Sequence, residues 1–405
     1  MKINDIRNYE KQGKAIIIFG AGIVGEVVEY VLSSQKIPVY CFCDNNEAKI
    51  GGRLHDKPVK ALQEIKDKGL DALFVVAISI HREIEIQLND FGYSLITNSR
   101  ELVGEIDITK YDFSVSHYQV KEYIESYMRH TAEYIVEEDN IIIKNIGLII
   151  TERCSLKCRD CINLMQYFKE PKHIDSDINL SSMEKLLENV SCIERVSVVG
   201  GEPFVNTEVY STIEWLVKQE KVKNVTIFTN ATVIPDDEQI KSLKNNKVFV
   251  SISNYEVKNQ KVIELSEKMK EHGIDYNIVN ERIWKDLGNL QCRNRADDEN
   301  NILFHKCIFD GCFQLMYGQL HYCARSACGV ALKAFPVKEG DYFDLFRTDL
   351  SAKEYKAKFI DFLNNKLSAP TACDYCSGKD WKSKHIPVGI QTKQVLDFDG
   401  QPILS

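Results

Sequence analysis

The stretch IGLIITERCSLKCRDC, residues 146–161, decides how the chain is read. It opens on the apolar run 146–150, the pattern of a parallel strand buried on both faces. Three cysteines follow at once, Cys154, Cys158 and Cys161, at spacing Cys-x3-Cys-x2-Cys. A disulfide takes two sulfurs, and a structural zinc site takes four ligands. Three thiolates on one loop suit a metal centre with an open position, or a zinc site completed by a distant residue.

Apolar segments continue downstream at 195–200, 224–229, 247–253 and 274–279. Helical segments separate them, among them 207–220 and SSMEKLLENV, which carries the capping-box pattern Ser181-x-x-Glu184. Repeated strand–helix units predict a parallel sheet curled into a barrel or part of one, with five strands evident and no clear sixth. Loops at the C-terminal ends of such strands are where these folds place chemistry. The second strand runs into VVGGEPF, 198–204. Gly200 and Gly201 allow close backbone approach, Glu202 offers acceptors for an ammonium group, and Pro203 fixes the turn.

Together, Cys-x3-Cys-x2-Cys after the first strand and Gly-Gly-Glu-Pro after the second resemble the radical S-adenosylmethionine (SAM) superfamily over about 145–290. The resemblance implies a partial (β/α)6 barrel. It implies that Cys154, Cys158 and Cys161 hold a [4Fe–4S] cluster whose open iron is chelated by SAM. Gly200, Gly201, Glu202 and Pro203 would then contact the methionyl amine. Asn230, with Ser251 or Ser253, would hold the ribose and carboxylate from later strand ends. The implied chemistry is reductive cleavage of SAM to a 5′-deoxyadenosyl radical that abstracts a hydrogen atom from a substrate C–H bond. It needs an electron donor such as flavodoxin or ferredoxin. The residue before the last cysteine, often aromatic in this family, is Asp160 here.

The last third is rich in cysteine. A hairpin is expected over 313–323, turning at Tyr317–Gly318, and a helix over 351–365. Cys307, Gly318 and Cys323, then Cys373 and Cys376, resemble the twitch or SPASM extensions of radical SAM enzymes. That implies an auxiliary [4Fe–4S] cluster on Cys307, Cys323, Cys373 and Cys376, with Cys312 and Cys328 as alternates. Sulfur ligation alone leaves zinc open at this group. Cys292 is either a hydrogen-atom donor to a substrate radical or an inert cysteine. Cys41, Cys43 and Cys192 read as core residues.

At the other end, AIIIFGAGIVGEVVEYVLSSQ (15–35) reads strand, glycine turn, helix, with Gly20, Gly22 and Gly25 in G-x-G-x-x-G and Asp44 ending the next strand. Helix N-terminal amides can cradle a diphosphate, and the acidic residue can take ribose hydroxyls. The segment also resembles small Rossmann-like domains of bacterial sugar-modifying and polysaccharide-biosynthesis enzymes, which implies a nucleotide-sugar or no ligand.

The chain is thus read as α/β throughout. A Rossmann-like parallel sheet (1–105) and a helical linker (106–144) precede the partial barrel (145–290), and a small cysteine-rich α+β extension (291–405) follows. With 405 residues, 44% hydrophobic and 27% charged, there is ample material for more than one core. The net charge of −8 and the lack of a basic block argue against nucleic acid. No signal-peptide pattern or apolar spanning run is present, so a cytoplasmic protein without a membrane partner is expected. In that compartment the clustered ones among the thirteen cysteines serve as metal ligands or catalysts sooner than as disulfides. The substrate expected is a small molecule, such as a sugar or nucleotide-sugar. A peptide-modifying enzyme is the alternative within the family, and a zinc-stabilised binding protein the alternative outside it.

Overall fold

Apolar runs without polar alternation become the inner strands of two parallel sheets, one in each compact unit of the chain. The computed structural model describes residues 1–403 except 80, 105, 131–134, 281, 310 and 365–367. The units are Met1–Ala132 and Glu133–Ser405. Among the described residues no helix is long and apolar enough to cross a membrane.

In the first unit β1 (Ala15–Phe19), β2 (Val39–Cys43), β3 (Lys57–Lys60), β4 (Ala72–Val76) and β5 (Ile96–Asn98) form a parallel sheet in the order β3-β2-β1-β4-β5. The strand order reverses beside β1, and the glycine turn follows β1 directly. Helix α1 (Ile23–Ser34) buries Val27, Val28 and Leu32 on one face of the sheet. Helix α2 (His117–His130) adds Val120 and Tyr127 to the same core, and the Tyr127 hydroxyl donates to the Val76 carbonyl at 3.2 Å. Cys41 and Cys43 are buried in β2, as expected.

The second unit holds β6 (Asn145–Ile149), β7 (Val196–Val199), β8 (Val225–Thr229), β9 (Val248–Asn254), β10 (Tyr276–Asn280), β11 (Ile283–Lys285), β12 (Cys312–Met316), β13 (Gln319–His321), β14 (Tyr342–Asp344) and β15 (His385–Pro387). Its main sheet runs β10-β9-β8-β7-β6-β12-β13-β14, parallel from β10 to β12. Helices α3 (Ser176–Asn189), α4 (Val209–Lys218) and α5 (Val262–His272) bury Met183, Leu186, Ile213, Leu216, Leu265 and Met269 against it. The expected hairpin is present, with Tyr317 at φ 52° and Gly318 at φ 78°, the left-handed pair of a type I′ turn. Its first strand does more than expected: β12 also pairs in parallel with β6, from Cys312 opposite Asn145 to Leu315 opposite Leu148, and supplies the sixth parallel strand.

One local expectation needs revision. The Ser181–Glu184 capping box does not start a helix, because α3 begins at Ser176. Asp175 caps it by accepting from the Asp177 amide at 2.8 Å, while Ser181 lies inside and donates to the Asp177 carbonyl at 2.6 Å. After Trp381, β15 pairs with β11, and the chain beyond it runs along the cysteine loop.

In the first unit, α1 carries two nearly solvent-free carboxylates, Glu26 and Glu29, and one imidazole ties both: His55 Nε2 lies 2.9 Å from Glu26 and Nδ1 3.0 Å from Glu29. Burial works against the imidazolium, but hydrogen bonds to Glu26 and Glu29 prevail and hold its pKa above the usual 6.5. A raised histidine stabilises the fold fully below its unfolded pKa and stops doing so as pH rises through the folded one. Relative to His55→Gln, the native chain should therefore lose urea stability as pH rises from about 6 through the folded pKa, by an amount that solvent screening at this exposed site keeps small. A gap that does not change with pH refutes the ionic role.

Candidate active site

The site is built where the backbone after β7 locks onto the backbone after β6. The Gly201 amide donates to the Thr151 carbonyl and the Glu202 amide to the Arg153 carbonyl, both at 2.9 Å. Gly200 sits at φ +144°, and a Cβ there would lie 2.4 Å from the Thr151 oxygen. On Gly201 it would lie 2.0 Å from the Arg153 oxygen and 2.9 Å from the Cys154 Cβ. The two glycines are thus required by contact with the start of the cysteine loop. Asn163, just past Cys161, donates its side-chain amide to the Gly200 carbonyl and ties the far end of the loop to the same turn.

Glu202 is fully buried, and both carboxylate oxygens face inward. They accept from Thr229 Oγ1 at 2.7 Å, the Asn230 amide at 2.7 Å and the Phe204 amide at 3.2 Å. Burial pushes its pKa up to about 7 against the pull of these donors. The carboxylate thus ties the end of β8 to the turn after β7, and the turn's backbone faces the cysteine loop. Pro203 opens the following 3-10 turn. Asn230 is buried, its Nδ2 3.5 Å from Cys154 Sγ, and its Oδ1 accepts from the Thr232 amide at 3.0 Å. Gln260 donates to the carbonyls of Asn230 (2.7 Å) and Ser253 (2.6 Å), pinning the ends of β8 and β9 together. Ser251 is buried and Ser253 half-buried, two apart on β9 and so on one face.

Cys154 and Cys161 are held among apolar side chains in the cluster of Ile149, Leu164, Met165 and Cys328, and Cys158 is buried. Burial raises all three thiols, Cys158 to about 11. Polar hydrogens nevertheless reach the sulfurs. Gln391 Nε2 donates to Cys158 Sγ at 3.0 Å, and backbone amides at Leu156 and at Met165, Asn163 and Leu164 pull the Cys154 and Cys161 thiols down. Raised thiols ringed by N–H donors fit an iron–sulfur cluster, whose iron supplies the positive charge that keeps buried thiolates ionised. Asp160, on the same loop, pairs with the Arg159 guanidinium at 2.9 Å.

A second set lies nearby in the same unit. Cys307, Cys323, Cys373 and Cys376 line one pocket with Leu303, Phe304, Phe309 and Tyr322, and neither Cys312 nor Cys328 is in its wall. Cys312 starts β12, while Cys328 is buried on α6 (Ala324–Ala331) against Cys154 and Cys161. Burial lifts Cys307 to about 12 and Cys323 to about 11. The Ser326 amide donates to Cys323 Sγ at 3.4 Å and the Gly378 amide to Cys376 Sγ at 3.3 Å. Among the described residues no three His, Cys, Asp or Glu groups lie as a single metal ion would need them. Sequence reasoning missed Arg325, which lines this pocket, is 4% exposed and hydrogen-bonds the Gly288 and Tyr375 carbonyls. It also missed Ile162, which follows Cys161 and lines the pocket too.

Cys292 is exposed, its sulfur 2.9 Å from Asp374 between the last two cysteines of the second set. In the first unit Gly20 lies at φ +113° and Gly22 caps α1. A Cβ on Gly25 would come within 1.9 Å of the Gly20 oxygen, so that glycine serves helix packing. Asp44 accepts from the Ala21 amide at 2.8 Å and pairs with Lys49 at 3.2 Å.

Residues 148–281 match the family model described as Radical SAM superfamily, and residues 12–96 match one described as C2185-like, N-terminal. The GTP 3′,8-cyclase of Aquifex aeolicus (strain VF5) is 27% identical over 139 residues, 32% of this chain and 41% of that protein. The one from Syntrophomonas wolfei subsp. wolfei is 28% identical over 126 residues, 29% and 36%. The chain therefore spans about two fifths of the length of these curated relatives. Among solved structures, BtrN in complex with AdoMet and 2-DOIA aligns over 63% of this chain and 98% of its own, at 13% identity and TM-score 0.37. Streptococcus suis SuiB bound to S-adenosylmethionine aligns over 63% and 56%, at 13% identity and TM-score 0.30. Residues 148–281 are thus a radical SAM domain.

Because a Cβ on Gly201 would press on the Arg153 carbonyl and the Cys154 Cβ, neither the far end of a flexible side chain, Gly201→Ala should cost about 2 kcal/mol or more in urea denaturation while far-UV circular dichroism stays native. A loss under about 0.5 kcal/mol contradicts the interlock.

Proposed function

We propose that this chain binds one [4Fe–4S] cluster through Cys154, Cys158 and Cys161, takes SAM at the open iron, and acts on a substrate C–H bond. The interlock of the Gly-Gly-Glu-Pro turn with the cysteine loop supports this most directly, since it sets the backbone of that turn against the start of the loop at Arg153 and Cys154. When bound, the cluster and SAM supply one-electron cleavage to methionine and a 5′-deoxyadenosyl radical, which takes a hydrogen atom from the substrate. The chain's residues then bind, orient and exclude water. Backbone at Gly200–Pro203 receives the ammonium group, and Asn230, Ser251 and Ser253 offer polar atoms for ribose and carboxylate. Leu164, Met165 and Ile149 keep the cysteine loop dry.

The same reading takes the main sheet as a partial (β/α)6 barrel and the last third as a twitch-type extension. There Cys307, Cys323, Cys373 and Cys376 hold one auxiliary [4Fe–4S] cluster, and the shared pocket supports that ligand set over Cys312 and Cys328. The first unit is read as Rossmann-like, its Gly20–Gly25 turn and Asp44 forming a nucleotide site. We take the substrate to be a sugar or nucleotide-linked sugar, in line with the nucleotide in the name of the GTP 3′,8-cyclases. A flavodoxin or ferredoxin supplies the electron, and the setting is cytoplasmic.

Anaerobically reconstituted protein should be brown and carry about eight irons, two clusters of four. With dithionite and SAM it should release 5′-deoxyadenosine, and Cys158→Ala should abolish that release. Cys376→Ala should lose about four irons, while Cys312→Ala and Cys328→Ala keep about eight. A colourless protein holding zinc overturns the proposal.

A further inference from the structure

Once β15 has paired with β11, the chain turns back at Gly389 (φ +65°) and lies antiparallel to the cysteine loop. The Arg159 amide donates to the Ile390 carbonyl and the Thr392 amide to the Lys157 carbonyl, each at 2.7 Å. Between these rungs Cys158 and Gln391 face each other. The Gln391 side chain turns in and uses both ends of its amide. Its oxygen accepts from the Lys157 amide at 2.8 Å, and its nitrogen donates to Cys158 Sγ at 3.0 Å and to the Gly389 carbonyl at 2.7 Å. Farther on, Leu396 is buried among Leu164, Met165 and Tyr167, and its amide donates to the Gln166 carbonyl at 2.9 Å. The strap is therefore fixed on both sides of Gln391.

We propose that Gln391 is a positioning residue for the first cluster: from the C-terminal strap it holds the Lys157–Arg159 backbone in ligating shape and donates an N–H to the Cys158 sulfur. This rests on the reading of Cys154, Cys158 and Cys161 as cluster ligands. Hydrogen bonds to cluster sulfurs withdraw charge from them, and partners outside the ligand shell set both ligand orientation and potential. An N–H donor here favours the reduced, more negative cluster, the state from which SAM receives its electron. Asn230 Nδ2 reaches Cys154 at the longer distance of 3.5 Å, so the donor on Cys158 is the shorter of the two side-chain contacts.

Two substitutions separate the functions of the amide. Gln391→Glu keeps an acceptor for Lys157 and removes the donor to sulfur, while Gln391→Leu removes both. In iron-free full-length chain, hydrogen exchange resolved at Lys157 should quicken about tenfold in Gln391→Leu and stay native in Gln391→Glu. In reconstituted protein, the EPR signal that changes on adding SAM marks the first cluster. Its reduced fraction at a fixed poise should fall about tenfold in both variants, with a negative shift in midpoint potential and unchanged iron content. Native Lys157 exchange in Gln391→Leu overturns the positioning role, and a native midpoint in Gln391→Glu overturns the donor role. If the native chain takes up no iron at these cysteines, the cluster reading itself falls. The Lys157 exchange, measured without iron, then still upholds or overturns the hold on the loop.

Discussion

The approach of Gly200–Glu202 to Thr151–Arg153 is the contact on which the rest of the site depends. Two backbone bonds at 2.9 Å extend the pairing of β6 and β7 past the strand ends, where the chain would otherwise splay into separate loops. Everything nearby takes its position from that extension. Thr151 Oγ1 accepts from the Arg153 amide at 3.0 Å and meets His173 at 2.9 Å, Asn206 donates to the Ile150 carbonyl at 3.1 Å, and Glu202 reaches across to β8. Thr151, Glu202 and Asn206 are all buried, and leaving any one of them unpaired would cost about 1–3 kcal/mol. The network therefore tolerates no partial version: a side chain at Gly201 would remove the approach and with it the reason for the others.

A buried thiol is a poor thiolate, and the second unit buries several together. Where burial lifts Cys158 to about 11 and Cys307 to about 12, ionisation near neutral pH requires a compensating positive charge. The protein supplies neutral N–H dipoles at the sulfurs and, beside the second set, guanidinium groups, among them Arg325 in the pocket wall and Arg295 on the Cys373 carbonyl at 3.0 Å. Arg325 is spent largely on backbone carbonyls at Gly288 and Tyr375. Such an arrangement favours a cationic guest over bare thiolates, and it ties the shape of both loops to the presence of that guest.

Signals legible in the sequence were those carried by neighbours along the chain. Strand runs such as 224–229 appear as Val225–Thr229, since an apolar run between turn residues leaves few other structures open. The Tyr317–Gly318 turn was readable because both residues must adopt positive φ, and Gly318 does so at no steric cost. What stayed hidden depends on distant partners. CFQLM reads as half of a hairpin, and nothing local says that its other edge will join β6. The Ser181 box failed because a better-placed cap, Asp175, lies upstream of a stretch without marked apolar periodicity. The side-chain role of Glu202 was legible only as acceptor chemistry; that its acceptors face Thr229 and Asn230 follows from how β7 and β8 lie side by side.

The strap shows the same limit at its strongest. Gln391 is a surface-exposed glutamine in a tail of unremarkable composition, and it meets Cys158 across 233 residues of chain. Closing so long a loop costs only slightly more entropy than closing one half its length, because the cost grows with the logarithm of length. Thermodynamics thus sets little penalty on recruiting the far end of the chain to finish a site begun near its middle. The contact needs only an anchored approach, and β15 on β11 and the Leu396 pocket provide one on each side. A cysteine loop that leaves backbone donors and acceptors at Lys157–Arg159 unpaired must find them partners somewhere. In this chain they come from 390–392, and the side chain opposite Cys158 is one that can satisfy an amide and a sulfur at once.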